Sequence, residues 1–118
     1  MDLCIDPNTV TSRELDTMAK AWHGGMVKGV ADISRGRLAL GGAWHKDARD
    51  ALVASGSNAH EVWGFRIHLN KEGYTLDFTS HINDRPEDGN NGIVINNKAL
   101  RERVATMVAR KVPFLDTG

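Results

Sequence analysis

The chain has 118 residues, 41% hydrophobic and 25% charged, which describes an ordinary globular domain able to bury a core without a disulfide or metal staple. Fifteen Lys and Arg balance fifteen Asp and Glu, which argues against a dedicated nucleic-acid or membrane-surface protein. Cys4 is the single cysteine, so an internal disulfide and a cysteine-built zinc site are excluded.

Residues 1–118 read as one domain with an extended or frayed lead-in over 1–10 and a frayed tail over 114–118. The opening MDLCIDPNTV has neither a basic nor an apolar leader region, and no window is long and apolar enough for a membrane helix; the expected address is the cytoplasm. Thr11-Ser12-Arg13-Glu14 has capping-box form, and Leu15, Met18, Ala19 and Trp22 follow at helical spacing, predicting a helix over 12–23 that stops at Gly24-Gly25. Met26 to Ile33 reads as a strand. A two-residue turn at Arg35-Gly36 would return Leu38-Ala39-Leu40 antiparallel, with Ile33 facing Leu38 and Ala31 facing Leu40. His45 to Ala54 is a second helix, with Ala48, Leu52 and Ala51 inward.

The second hairpin is the most fully specified element. Trp63, Phe65, Ile67 and Leu69 alternate with polar or small residues, and so do Tyr74, Leu76, Phe78, Ser80 and Ile82. A turn over 70–73 pairs Leu69 with Tyr74, Ile67 with Leu76 and Phe65 with Phe78, and sets Arg66 opposite Asp77; a slip of one residue would lose every pair. Residues 83–97 form a long loop around Pro86, Asp88-Gly89 and Asn91-Gly92, with Ile93-Val94-Ile95 as its anchor. Asn96 or Asn97 caps a last helix whose stripe is Leu100, Val104, Met107 and Val108, ended by Pro113. The order α-ββ-α-ββ-α predicts an α+β fold: a mostly antiparallel four-stranded sheet with helices on one face.

Four stretches carry a family likeness: residues 26–33 (MVKGVADI), 40–48 (LGGAWHKDA), Ser55-Gly56-Ser57 with Val62-Trp63-Gly64, and Ile82-Asn83-Asp84-Arg85-Pro86 with Asn90. In order and spacing, from about Met26 to Val108, the chain resembles a prokaryotic family known as a domain of unknown function, number 5674 in that series. It departs from that pattern at Asp84, where an aliphatic residue precedes Arg-Pro, and at Trp44, where an acidic residue is expected. The resemblance supports the fold and brings no established activity.

Five histidines invite a metal, yet none has metal-ligand spacing, so no metal and no cofactor is expected. His23 suits a helix C-terminus. His45 stands where a strand gives way to a helix behind Gly41-Gly42, either as a catalytic or ligand-holding histidine or as a local cap. The loop 83–92 is the leading site: Arg85 offers a planar fork for carboxylate or phosphate, flanked by Asn83 and Asn90. The alternative is that Arg85 pairs with a nearby acid and the asparagines only make turns. The sheet face carrying Arg66, His68, Thr75, Asp77, Thr79 and His81 is either wet or covered by a second subunit.

Three readings follow. The first is a small binding or interaction module, self-associating, with a polar site on the 83–92 loop near the 41–47 turn and a small anion as ligand. The second is an enzyme with His45 or His81 as general base and Arg85 as anion clamp. The third uses Lys98, Arg101, Arg103, Arg110 and Lys111 of the last helix against nucleic acid, a reading the neutral total charge disfavours.

Overall fold

The computed structural model describes residues 4–5, 10–22, 25–70 and 73–112. Its elements are β1 (Cys4–Ile5), α1 (Ser12–Trp22), β2 (Met26–Asp32), β3 (Arg37–Leu40), α2 (His45–Ala54), β4 (Val62–Asn70), β5 (Gly73–Asp77) and α3 (Lys98–Lys111), with 3-10 turns at Ala59–Glu61, His81–Asn83 and Pro86–Asp88. The α+β class and the order α-ββ-α-ββ-α are as expected. His23, Gly24, Pro113, the tail 114–118, the middle of the β4–β5 turn and the side chains of Cys4 and Trp22 lie outside the described residues.

Local chemistry accounts for the helix starts. The capping box forms as read: Glu14 N donates to Thr11 Oγ1 and Thr11 N to Glu14 Oε1, both at 3.1 Å. Asn97 Oδ1 accepts from Leu100 N at 3.0 Å and so caps α3. The β4–β5 register is also as expected, with Leu69↔Tyr74, Ile67↔Leu76 and Arg66↔Asp77. Beyond Asp77 the strand departs from the reading. Phe78 O instead accepts from Ile95 N, and Thr79 bridges Val94, so the Phe65–Phe78 rung is replaced by a pairing with the loop's apolar anchor.

The first hairpin is displaced by two residues from its expected register, pairing Ala31↔Leu38 and Gly29↔Leu40. The cause is Asp32, whose Oδ1 accepts from both Ser34 N and Arg35 N while its carbonyl accepts from Gly36 N. This side-chain turn closes a four-residue loop at Gly36, which has φ +70°. A shift of two preserves which face each side chain takes, so the core pattern survives it.

Two features of the expected sheet are corrected. A fifth strand is present, because Cys4–Ile5 of the lead-in pairs with β3 and gives the antiparallel order β1-β3-β2-β4-β5. The helices also do not share one face. Leu15 and Ala19 of α1 and Val104 and Val108 of α3 pack with Val27, Ala31, Leu38, Trp63, Phe65 and Ile67. Ala48 and Leu52 of α2 pack instead with Val30, Ala39, Val62 and Ile82, the alternate residues of the same strands. Topology explains the difference: β3 and β4 both lie antiparallel to β2 on either side of it, so their connection through α2 must cross a sheet face. That face holds Val30 and Ala39, a smaller apolar set than the opposite one, and α2 covers it only in part.

Candidate functional site

The β4 strand outruns β5. Where β5 turns away after Asp77, the backbone of Gly64 faces an edge with no strand beside it, and the carboxamide of Asn83 takes the place of a peptide group there. Its Oδ1 accepts from Gly64 N at 2.8 Å, and its Nδ2 donates to Gly64 O at 3.0 Å and to Phe78 O at 3.1 Å. Asn83 is fully buried. Position 64 admits only glycine, because a Cβ would stand 2.5 Å from Ser80 Cβ and 3.2 Å from His45 Cδ2.

His45, on the α2 face, leans on the next peptide, with Nε2 2.7 Å from Phe65 O. A carbonyl oxygen only accepts, so Nε2 carries the ring proton. Burial pushes the His45 pKa down to about 4, an effect that the Phe65 bond opposes and that the nearby charges of Lys28 and Arg66 reinforce. His45 is therefore a neutral imidazole whose proton is committed to the sheet. Asn90 is likewise buried and engaged: Nδ2 donates to Asn83 O at 2.8 Å and Val94 O at 3.1 Å, and Oδ1 accepts from Asn96 N at 2.8 Å.

Arg85 is different. Its backbone exchanges hydrogen bonds with Asn90, closing the small loop whose turn is Pro86–Asp88. Its guanidinium lies over the indole of Trp63, with Cζ 3.8 Å from the ring centroid, and NH1 donates to Ala59 O at 2.6 Å. The remaining donors, Nε and NH2, are buried and have no hydrogen-bond partner among the described residues. Asp88 Oδ2 stands 3.6 Å from Nε, near enough for charge and too far for a hydrogen bond. That carboxylate is held instead by His60 Nδ1 at 2.9 Å. Burial lowers the Arg85 pKa from its ordinary value, offset by Asp88, Glu87 and Glu61, and the group keeps its charge.

Beside this cluster runs a groove of about 400 Å³ whose walls include Ile33, His60, Trp63, Asp88, Leu100 and Arg103, with Asn97 at the start of α3. Arg103 NH2 donates to Ile33 O at 3.1 Å across its rim. Of the residues read from the sequence, His45 and Asn83 therefore meet at Gly64 and Phe65, and Asn83, Asn90 and Arg85 form one bonded chain. Arg85 ends on Trp63, whose side chain belongs to the α1–α3 face, whereas His45 belongs to the α2 face. His81 is exposed on its 3-10 turn. Sequence reasoning missed His60, Trp63 and Arg103 as neighbours of Arg85; they lie 18 to 25 positions away along the chain and share no spacing motif, so only the folded topology joins them. Among the described residues no group of three or more His, Cys, Asp or Glu side chains is placed to hold a metal, and no helix is long and apolar enough to cross a membrane.

Fold and site together define an α+β protein with an antiparallel sheet, a covered and fully bonded junction at Gly64, and a half-covered arginine cluster beside a groove. A family model described as a protein of unknown function, DUF5674, matches residues 4–111, and the chain belongs to that family. No curated protein and no solved structure matches it.

Proposed function

We propose that the chain is a small binding module that takes an anionic group, carboxylate or phosphate, at Arg85. The observation that carries this reading is the pair of buried Arg85 donors, Nε and NH2, left without a partner while every polar group of neighbouring Asn83 and Asn90 is engaged. Buried donors without partners are costly, on the order of 1–3 kcal/mol each, and are retained where a site uses them. Asp88 is a stand-in carboxylate at this position: it supplies charge at 3.6 Å, and His60 holds it short of a full bond. A ligand oxygen that displaces Asp88 would find a guanidinium already fixed by Trp63 and Ala59, with Arg103 at the groove's rim. A His45 general base gains little support, since burial lowers its pKa to about 4, which makes it a weak base at neutral pH, and its Nε2 is taken by Phe65 O.

Titration of the protein with inorganic phosphate and with acetate, followed by amide NMR, tests the proposal. Expected are saturable shifts at Trp63, at 84–90 and at Arg103. Asp88→Asn, which removes the stand-in charge, should tighten phosphate binding several-fold, and Arg85→Gln should abolish it. Equal phosphate affinity in wild type, Asp88→Asn and Arg85→Gln would overturn the reading.

A further inference from the structure

The groove beside Arg85 continues along α3. The stretch of about 400 Å³ that touches Asp88 and His60 shares Ile33, Ala99 and Arg103 with a second stretch of about 490 Å³. That second stretch runs past Thr106 and Met107 to Arg110. At 1.5 Å per helical residue, Asn97 to Arg110 spans about 20 Å, the length of roughly six extended residues.

The walls are apolar where the core is left part open. Ile33, Leu100 and Met107 each pack against the α1–α3 core without being fully covered, and all three line the groove. Along its length the charges cancel, with Glu61 and Glu102 set against Arg103 and Arg110. A polyanion such as nucleic acid finds no excess of positive charge there. What stands out is one end, where Arg85 keeps two buried donors unpartnered and His60 holds Asp88 short of them.

That end suits a carboxylate. Nε and NH2 are the edge of a guanidinium that takes both oxygens of one carboxylate. Arg66 shows the same edge in use, its Nε and NH2 donating to the two oxygens of Asp77 at 2.9 Å each. At Arg85 the nearest anion is again a carboxylate, Asp88, which also lines the groove. A carboxylate that displaces Asp88 therefore arrives from the groove.

Resting on the anion-binding reading of Arg85, we infer that the ligand is the C-terminal end of a peptide with an aliphatic last residue. The α-carboxylate lies on the Nε and NH2 edge of Arg85, and the last side chain sits among Ile33, Trp63 and Leu100. The preceding, uncharged residues follow α3 toward Met107. Arg103, on the wall shared by both stretches, has donors for the peptide backbone beyond the one given to Ile33 O.

The test is amide NMR with acetyl-Ala-Ala-Leu as the free acid and as the C-terminal amide, beside acetate, isocaproate and inorganic phosphate. Expected are shifts at Trp63 and 84–90 with every carboxylate, and at Ile33, Leu100 and Met107 with the free-acid peptide. That peptide should bind at least about ten-fold more tightly than acetate and than its own amide. Ala99→Gln stands a longer, helix-forming side chain in the groove and should bring the peptide down to the affinity of acetate. An amide as tight as the acid would overturn the inference. So would isocaproate matching the peptide, which marks a free aliphatic acid as the ligand. Acetate or phosphate shifts at 84–90 with no gain for the peptide would overturn it and leave the Arg85 reading standing. No shift there with any probe would overturn both.

Discussion

Asn83 and Arg85 are two residues apart and look alike from the sequence, two polar side chains in one loop suited to hold a ligand. Their environments are opposite. Asn83 is fully buried, and its carboxamide stands in for a missing rung of β-sheet beside Gly64. Arg85 is only partly buried, yet its Nε and NH2 are buried donors without partners among the described residues, balanced against an aromatic face and a carboxylate just out of bonding range. Polar burial alone therefore does not mark a site. A polar group with complete bonding builds the fold, and one with incomplete bonding is where a ligand can gain free energy by completing it.

The sharpest way to break this comparison is Asn83→Ala. It strands the amide and carbonyl of Gly64, leaving Phe78 O with Ile95 N, so urea unfolding should show a loss of about 3–4 kcal/mol. A loss below about 1 kcal/mol would mean that the carboxamide is no strut.

The His45 side of the junction makes a pH prediction. The folded-state pKa of about 4 lies below the unfolded value of 6.5, so the unfolded chain takes up the proton first. Stability is then full above pH 6.5 and falls as pH drops toward 4, by up to about 3 kcal/mol. A further fall follows below the ordinary carboxylate value of 3.8. Burial works against the charge of Asp77, but hydrogen bonds from Arg66 and His68 hold its pKa below that value. Unfolding curves at pH 7, 5 and 4 check this, and His45→Gln should flatten the upper limb.

Gly64→Ala drives a methyl into Ser80 and His45, and should cost about 2 kcal/mol by the same assay. Arg85→Lys should have the smallest effect on stability, about 1 kcal/mol for the lost Ala59 bond and indole stacking, while phosphate affinity falls at least ten-fold. A variant equal to wild type in phosphate affinity would erase the distinction between the two residues.

The sequence carried the local elements well because their signals are local. The Thr11–Glu14 box, the alternation of 63–69 with 74–76 and the Asn97 cap all depend on residues within one turn or one hairpin. The first hairpin's register differs from the expectation because Asp32 makes its own turn, a side-chain effect that the Arg35-Gly36 pair does not signal. The placement of α2 on the second face was not legible for a different reason. Ala48 and Leu52 show that the helix has an inward side, and only the position of β2 between β3 and β4 says which face of the sheet that is. For the candidate site, the loop 83–92 joins Asn83, Arg85 and Asn90 in one bonded chain, and their division of labour was not legible. Nothing at Asn83 or Asn90 reveals that Gly64, Phe78, Val94 and Asn96 will take up all their capacity, and nothing at Arg85 announces Trp63 beneath it.

The most direct test follows the Arg85 Nε–H resonance itself while inorganic phosphate is added, with the Asn83 side-chain amide as internal reference. Expected are a saturable downfield shift and slowed solvent exchange at Arg85 Nε–H, with the Asn83 signals unmoved. An Arg85 resonance that stays fixed at saturating phosphate, or shifts appearing at Asn83 instead, would contradict it.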